Sequence, residues 1–165
     1  MISKIYYHKY QLSEHTYLIG TTEKGLSFIG SRDQGIQEME QFYYGVQLVD
    51  DEQMTNKYAN QLKEYLEAKR QDFTMELDIP GTKFQESVWN ELRKIPYGET
   101  RSYTEIAQAI GKPKSVRAVG SAVAKNPVLI VVPCHRVITK SHKLGNYRGG
   151  LTMKRDLLTL EGAID

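Results

Sequence analysis

The chain has 165 residues, of which 40% are hydrophobic and 25% are charged, with 13 glycines and five prolines. That length allows one ordinary domain or two small ones, and the composition excludes a disordered or fibrous chain. The formal net charge of +2 at pH 7 does not by itself indicate a charged partner.

The first 80 residues predict a small α+β unit. Apolar and aromatic alternation predicts three antiparallel strands, at residues 5–10, 16–20 and 26–30. Two segments of helical periodicity and a fourth alternating segment follow, at residues 36–44, 58–69 and 73–77. Pro80-Gly81 then interrupts the pattern, so we place the boundary between two domains there, giving residues 1–80 and 81–165.

The second half of the chain is mainly helical. Thr82–Gln85 and Ser102–Glu105 have the form Ser/Thr-x-x-Glu/Gln, in which two side chains cap the first backbone amides of a helix. The second of these helices ends at Gly111, and a third begins at Ser115 and ends before Asn126-Pro127. Two short helices joined by a glycine-containing turn form a helix-turn-helix pattern, which many non-binding bundles share.

Positive charge is concentrated in the C-terminal part of the sequence. Ten of the 22 basic residues lie between Ile106 and Arg155, a stretch without Asp or Glu, so 12 basic and 20 acidic residues remain elsewhere. A polyanion is the natural partner for this stretch, although a solvated basic face with no ligand has the same composition. The small residues of the helix from Ser115 allow close approach to another surface or tight packing against the core.

Cys134 is the only cysteine, which excludes an internal disulfide, and the four scattered histidines do not indicate structural zinc. It follows an apolar run at residues 128–132 that predicts a fully buried strand or extended segment. A thiol reacts as the thiolate and needs a base or a positive field, and His135 is the next residue. Adjacency alone does not decide whether the two side chains meet, so an inert buried thiol is the alternative.

The sequence contains no pattern typical of a membrane or secreted protein. No apolar run approaches the roughly 18 residues that would span a bilayer. The N-terminal residues lack the apolar core and small-residue cleavage site of a secretory signal. We therefore expect a cytoplasmic protein with no membrane partner.

The residues around Cys134 resemble those of a known family, the methylated-DNA–protein-cysteine methyltransferases, also called O6-alkylguanine-DNA alkyltransferases. The resemblance rests on Pro133-Cys134-His135-Arg136-Val137, on Asn126-Pro127 before it, and on Gly145-Asn146-Tyr147-Arg148-Gly149-Gly150-Leu151 and Lys154 after it. It runs from about Phe84 to Gly162. It implies an α+β fold, with a ribonuclease H-like N-terminal domain (a small antiparallel sheet with helices) and a mostly helical, winged helix-turn-helix-like C-terminal domain that binds DNA and accepts the alkyl group.

The resemblance implies direct DNA repair. The alkyl group of O6-alkylguanine, or of O4-alkylthymine, in duplex DNA would move irreversibly to Cys134, so each molecule would act once. In this family the histidine after the cysteine takes the thiol proton through a water and a glutamate near the C-terminus orients that histidine, which here are His135 and Glu161. Tyr103 would protonate the departing guanine, with Lys154 assisting.

The same motifs imply the DNA contacts. Arg117 would fill the place of a nucleotide rotated out of the stack, and Tyr103 would crowd its phosphate. Residues 115–125 would form a recognition helix in the minor groove. Its other contact residues would be Ser115, Ala118, Gly120 and Lys125. The substrate pocket would be formed by Val137, Tyr147 and Arg148. Asn126 would hold the turn that supports the loop carrying Cys134.

Some features of the sequence leave alternatives open. Residues 139–144 stand where relatives often have a Ser-Gly turn, and Arg148 is bulky at the pocket rim, so the tolerance for large alkyl groups is open. With a single cysteine we expect no metal, and the resemblance implies no cofactor and a monomer. A non-catalytic lesion-binding relative would replace the acceptor Cys134, and a helix-turn-helix regulator with an inert thiol would bind undamaged DNA in a sequence-specific way.

Overall fold

Six α-helices, a four-stranded sheet and a pair of short strands make up the α+β fold, seen in a computed structural model that describes residues Met1 to Asp165. The chain divides into two compact units, Met1–Pro80 and Gly81–Asp165. None of the helices combines the length and the apolar character needed to cross a membrane.

The N-terminal unit is built on a sheet with the order β3-β2-β1-β4. Its strands are β1 (Lys4–Leu12), β2 (His15–Thr21), β3 (Leu26–Ile29) and β4 (Gln47–Asp50). The first three strands pair antiparallel, as predicted, but β4 pairs parallel to β1. The sheet is therefore mixed, not antiparallel. The short, partly exposed β4 was missed because it lacks a clear apolar alternation.

Two helices accompany this sheet, α1 (Ile36–Phe42) and α2 (Glu52–Leu66). Helix α2 begins six residues before the predicted start, because the Asp51 side chain accepts from the Met54 amide and caps a first turn that is almost entirely polar. A core cluster of this unit joins the sheet to α1 and the residue after it: Ile5, Leu18, Phe28, Met39 and Tyr43.

The strand predicted at residues 73–77 does not form. Only Leu77 makes an isolated parallel bridge, with Leu26. A Cβ atom on Gly25 would lie 2.7 Å from the carbonyl oxygen of Glu76, so the close passage of these two segments depends on glycine.

The C-terminal unit contains the helices α3 (Lys83–Leu92), α4 (Tyr103–Ala109), α5 (Val116–Ala124) and α6 (Leu151–Leu160). Its short strands β5 (Arg101–Ser102) and β6 (Val137–Ile138) pair parallel. Both predicted capping boxes are formed, at Thr82 and at Ser102, and Gly111 has the positive φ of 75° that ends α4. Helix α6 was not predicted.

Helices α3 and α5 pack against each other through their apolar faces. The indole Nε1 of Trp89 on α3 donates to the Ala122 carbonyl on α5 at 2.9 Å. The buried side chains of α5 are Val119, Ala122 and Val123, which leaves the opposite face of that helix toward solvent.

Candidate active site

Residues 126–134 form the loop that carries Cys134, called the cysteine loop below, and it consists of tight turns. Residues 128–132 are buried, as predicted, but they do not form a strand or an extended segment. Ile130 has a φ of 73°, and a 2.8 Å hydrogen bond from the Val131 amide to the Leu129 carbonyl closes a γ-turn around it. Such a conformation costs about 1–3 kcal/mol and persists only where the surrounding structure enforces it, as this fully buried loop does.

Pro133 forms the second tight turn. Its φ of −81° and ψ of 60° are those of an inverse γ-turn, closed by a 2.8 Å hydrogen bond from the Cys134 amide to the Val132 carbonyl. The fixed φ of proline suits this turn. The thiol is therefore presented at the start of a 3-10 helix, Cys134–Arg136, and not at the end of a strand.

Asn126 connects the parts of the loop. Its Nδ2 atom donates to the Val132 carbonyl at 2.8 Å and to Cys134 Sγ at 3.2 Å. Its Oδ1 atom accepts from the Val128 amide at 2.9 Å. These contacts support the predicted role of holding the turn, and they place a hydrogen-bond donor on the sulfur.

A second buried cluster lies around Glu161. Its Oε2 atom is 2.8 Å from His135 Nε2, and neither side chain is exposed. Arg136 donates from Nε to Oε1 at 2.8 Å and from Nη2 to Oε2 at 2.9 Å. The Nδ1 atom of His135 is buried and has no hydrogen-bond partner in the protein. With Nε2 donating to the carboxylate, Nδ1 carries a lone pair that can accept a proton.

The protonation states of the cysteine and the histidine follow from their burial. Burial raises the pKa of the Cys134 thiol, although the hydrogen bond from Asn126 and nearby positive charges oppose this. Burial lowers the pKa of His135, although its hydrogen bond and attraction to Glu161 oppose this. Both groups are uncharged at neutral pH, so the thiol must lose its proton before the sulfur becomes a strong nucleophile.

A cavity of about 840 Å³ lies beside the cysteine. Cys134 is only 3% exposed, yet it lines this cavity together with Tyr103, Tyr147 and Arg148. Helix α5 contributes Val116, Arg117, Gly120, Ser121, Val123 and Ala124 to the lining. The volume lies within the range of small-molecule pockets, about 300–1,000 Å³, and a purine base fits in that space.

The solvent-facing side of α5 consists largely of small residues. Ala118, Ser121 and Ala124 are exposed on it, with Arg117 near its start and Lys125 just after its end. A helix without bulky side chains can bring its backbone close to another surface, and the two cations suit a polyanion. Ser115 is the N-cap residue, but its side chain makes no capping hydrogen bond.

Tyr103 is the first residue of α4 and lies between α5 and the loop that contains Gly145 and Asn146. Its ring is 3.9 Å from where a Cβ atom on Gly120 would stand, and its hydroxyl is 3.2 Å from the corresponding point at Gly145. The Asn146 amide donates to the hydroxyl. Burial and then the neighbouring Cys134 raise the pKa of Tyr103, so the hydroxyl keeps its proton and can donate it.

Lys154 is fully buried, and its ammonium donates to three backbone carbonyls. These are Val137 at 2.6 Å, Asn146 at 3.1 Å, and Leu144. Burial lowers the pKa of Lys154 to about 8. All three protons are used within the protein, so these contacts favour a role in holding the loop beside Tyr103 over direct assistance to the leaving group.

The predicted site residues separate into three groups. Tyr103, Arg117, Gly120, Cys134, Tyr147 and Arg148 line the cavity. Asn126, His135, Val137, Lys154 and Glu161 are buried and do not line it. Ser115, Ala118 and Lys125 lie on or beside α5 without lining the cavity. Val137 does not line the cavity and its carbonyl accepts from the Lys154 ammonium, so its role in the substrate pocket stays a prediction.

Two further features went unrecognised in the sequence. Arg136 lies in the quoted motif, but no role was given to it; an arginine close to a buried apolar run signals a buried partner for its charge. Arg148, expected as a bulky rim residue, directs Nε and Nη2 to the Asn126 carbonyl at 3.3 and 2.9 Å. The guanidinium is thus anchored to the cysteine loop. Nothing in the sequence signalled that contact.

Comparisons with known proteins agree with this site. Residues 83–163 match the family model described as 6-O-methylguanine DNA methyltransferase, DNA binding domain, and residues 5–79 match its ribonuclease-like domain. An inducible methylated-DNA–protein-cysteine methyltransferase of Bacillus subtilis is 46% identical over 161 residues, which cover 95% of this chain and 90% of the relative. A methylated-DNA–protein-cysteine methyltransferase of Methanosarcina acetivorans is 50% identical over 115 residues, 70% of this chain and 74% of the relative.

A solved structure is also similar over nearly the whole chain. It is the crystal structure of Mycobacterium tuberculosis OGT in complex with DNA, with a TM-score of 0.85 and 38% sequence identity. The alignment covers 96% of this chain and 93% of the solved chain.

Proposed function

The chain belongs to the 6-O-methylguanine DNA methyltransferase family, and from this premise we propose how it acts. It repairs duplex DNA directly, by transferring the alkyl group from the O6 atom of an alkylated guanine to Cys134. The observation that carries this function is the position of Cys134. This residue is almost fully buried, yet it lines a cavity, and helix α5, which has a solvent-exposed face, lines the same cavity.

The proposed reaction moves one proton and one alkyl group. The thiol proton of Cys134 passes to His135 Nδ1, directly or through a water, while Glu161 holds the imidazole through Nε2. The resulting thiolate attacks the alkyl carbon, and the bond from that carbon to O6 breaks with its electron pair on the purine. Tyr103 protonates the purine and regains a proton from solvent, while His135 releases the thiol proton to solvent, so the net change is one proton from the thiol to the purine. The product thioether on Cys134 has no leaving group suited to hydrolysis, so the protein acts once.

DNA binding is proposed to use the small face of α5. The helix would lie in the minor groove through Ser115, Ala118, Gly120 and Lys125, with Arg117 taking the place of the extruded nucleotide. Extrusion costs a few kcal/mol and is cheapest for a poorly paired base, which contributes to selectivity for damaged guanine. The exposed cation and small side chains of α5 support this proposal.

We extend the proposal to O4-alkylthymine as a second substrate, to action as a monomer, and to a cytoplasmic location. A DNA-repair role requires access to the DNA of the cell, and the proposed location must allow that access. The two alternatives are weaker: a lesion binder without an acceptor has no use for Cys134, and a sequence-specific regulator has no use for a cavity at that thiol.

The test is a stoichiometric repair assay. A duplex with one O6-methylguanine is incubated with increasing amounts of protein, and repaired DNA should rise linearly and stop at one lesion per protein molecule. Cys134→Ala should bind the duplex without repairing it. Continued turnover would reject the suicide mechanism. Binding of undamaged DNA with equal affinity and no repair would favour the regulator.

A further inference from the structure

Glu161 is shared by two cationic or potentially cationic side chains, and the proposed reaction uses only one of them. His135 Nε2 contacts Oε2 at 2.8 Å. The guanidinium of Arg136 takes both carboxylate oxygens, at 2.8 and 2.9 Å. Three short hydrogen bonds therefore converge on one buried carboxylate.

The position of Arg136 is itself fixed. Its remaining Nη1 atom donates to the Ile95 carbonyl at 2.7 Å, and the guanidinium carbon lies 5.8 Å from the centre of the Tyr97 ring. The arginine is 6% exposed. A planar, always charged group with a rigid fork of donors suits a carboxylate better than any other side chain does.

We propose that Arg136 is a positioning residue for the alkyl transfer: by binding both oxygens of Glu161 it fixes this carboxylate against His135 Nε2 and balances its charge, which keeps the imidazole neutral and Nδ1 free to take the thiol proton. This inference rests on the proposed function. It assigns no contact between Arg136 and the DNA or the alkyl group.

The charges around His135 explain why this balance matters. Glu161 attracts a proton to the imidazole, whereas Arg136 and Lys154 repel it, and Cys134 beside it is a neutral thiol. Burial already lowers the pKa of His135. Without the guanidinium, the attraction of the carboxylate would be less balanced, and the pKa of His135 would rise toward protonation at neutral pH. A protonated His135 cannot accept the thiol proton.

The test is the pH dependence of the single-turnover transfer rate from an O6-methylguanine duplex. Arg136→Met should move the acid limb of the profile to higher pH by about one unit, the size expected for losing one close charge, which slows transfer by up to about tenfold at pH values below the limb and by less at neutral pH. Arg136→Lys keeps the positive charge but loses the pair of donors that binds both oxygens of Glu161. The acid limb of this variant should therefore stay near that of the parent protein, while its maximal transfer rate at higher pH falls. A purely structural arginine would leave the acid limb of both variants unmoved.

Arg101→Met is the matched control. Arg101 lies in the same unit and pairs with exposed Glu99 at 3.1 Å. It should leave both the rate and the pH profile unchanged, and a similar shift in this control would overturn the proposal.

A measurement on the unmodified protein covers the case in which Arg136→Met does not fold. Nitrogen NMR of histidine-labelled protein at pH 7 should show His135 neutral, with Nδ1 unprotonated and Nε2 protonated. An imidazolium signal, or the other tautomer, would overturn the proposal even if repair proceeds normally. Failure of the parent protein to accept any alkyl group would instead reject the proposed function.

Discussion

The two units of the molecule bury different kinds of polar side chain. In the N-terminal unit the buried polar residues all carry hydroxyls: Thr21, Ser27, Ser31 and Thr55. The C-terminal unit buries Ser102 and Asn126 and, in addition, four ionisable side chains: His135, Arg136, Lys154 and Glu161. A hydroxyl needs one partner, whereas a buried charge costs several kcal/mol unless it is paired and hydrogen-bonded.

The ion pairs of the N-terminal unit lie at its surface. Arg70 contacts Glu64 at 3.2 Å and Lys69 contacts Glu67 at 3.1 Å, with all four side chains partly exposed. Pairs of this kind contribute about 0–1 kcal/mol. Buried acidic and basic side chains, whose burial costs free energy, therefore occur only in the unit that contains Cys134. Such groups are typical of functional sites.

The largest effect that this comparison predicts is on stability. Glu161→Gln removes the carboxylate and leaves the buried charge of Arg136 uncompensated, so the free energy of unfolding should fall by about 3–5 kcal/mol. Glu99→Gln breaks the exposed pair with Arg101 and should cost under about 1 kcal/mol. Denaturant unfolding of both variants measures this. Equal losses would mean that the buried cluster is not energetically distinct.

The next effect concerns the proton donor. Tyr103→Phe keeps the ring but removes the hydroxyl, so we expect the transfer rate to fall about 100-fold, as is typical for the loss of a general acid. Tyr44→Phe, at a residue that is 95% exposed in the N-terminal unit, is the control and should leave the rate unchanged. Single-turnover repair of an O6-methylguanine duplex gives both values. An unchanged rate for Tyr103→Phe would remove it as the donor.

A smaller effect should separate extrusion from chemistry. Arg117→Ala should slow repair of duplex DNA about tenfold, because the vacated stack is left unfilled, and should slow repair of a single-stranded oligonucleotide much less. Arg155→Ala removes the same charge from an exposed position on α6 and serves as the control. If both DNA forms lose rate equally, Arg117 has no special role in extrusion.

The smallest effect is a pH-dependent contribution to stability. Because burial lowers the pKa of His135 below its usual 6.5, the unfolded chain binds the proton more readily than the folded chain does. The free energy of unfolding should therefore decrease as the pH falls below about 6.5, by up to about 1.4 kcal/mol per pH unit. Denaturant unfolding of the parent protein and His135→Gln between pH 7 and 5 tests this. Parallel curves would contradict a neutral buried imidazole.

Local signals in the sequence predicted much of the fold. The capping boxes at Thr82 and Ser102 and the stop at Gly111 are local hydrogen-bond patterns, and all three are confirmed. The start of α2 and the failed strand at residues 73–77 depend on tertiary context, namely a polar first turn capped by Asp51 and a close backbone passage at Gly25. The periodicity of apolar residues in the sequence predicts neither the capped polar turn nor the close backbone contact.

The site shows the same division. The motif around Cys134 predicted the reactive residues. It did not predict the loop before them, because an apolar run of five residues has the same pattern in a strand and in a buried turn, and only the structure shows Ile130 with a φ of 73°. The pairing of Arg136 with Glu161 spans 25 positions of the sequence. The hydrogen bonds from Lys154 to three backbone carbonyls depend on the path of the loop before α6. Neither the Arg136–Glu161 pair nor these hydrogen bonds could be derived from the spacing of residues in the sequence.

Mass spectrometry of the protein after reaction with a duplex containing O6-methylguanine tests the central claim most directly. The intact mass should increase by one CH₂ unit per molecule, and fragmentation should place that increase on Cys134, with none in Cys134→Ala. An unmodified parent protein after complete binding of the duplex, or a methyl group on another residue, would contradict the account.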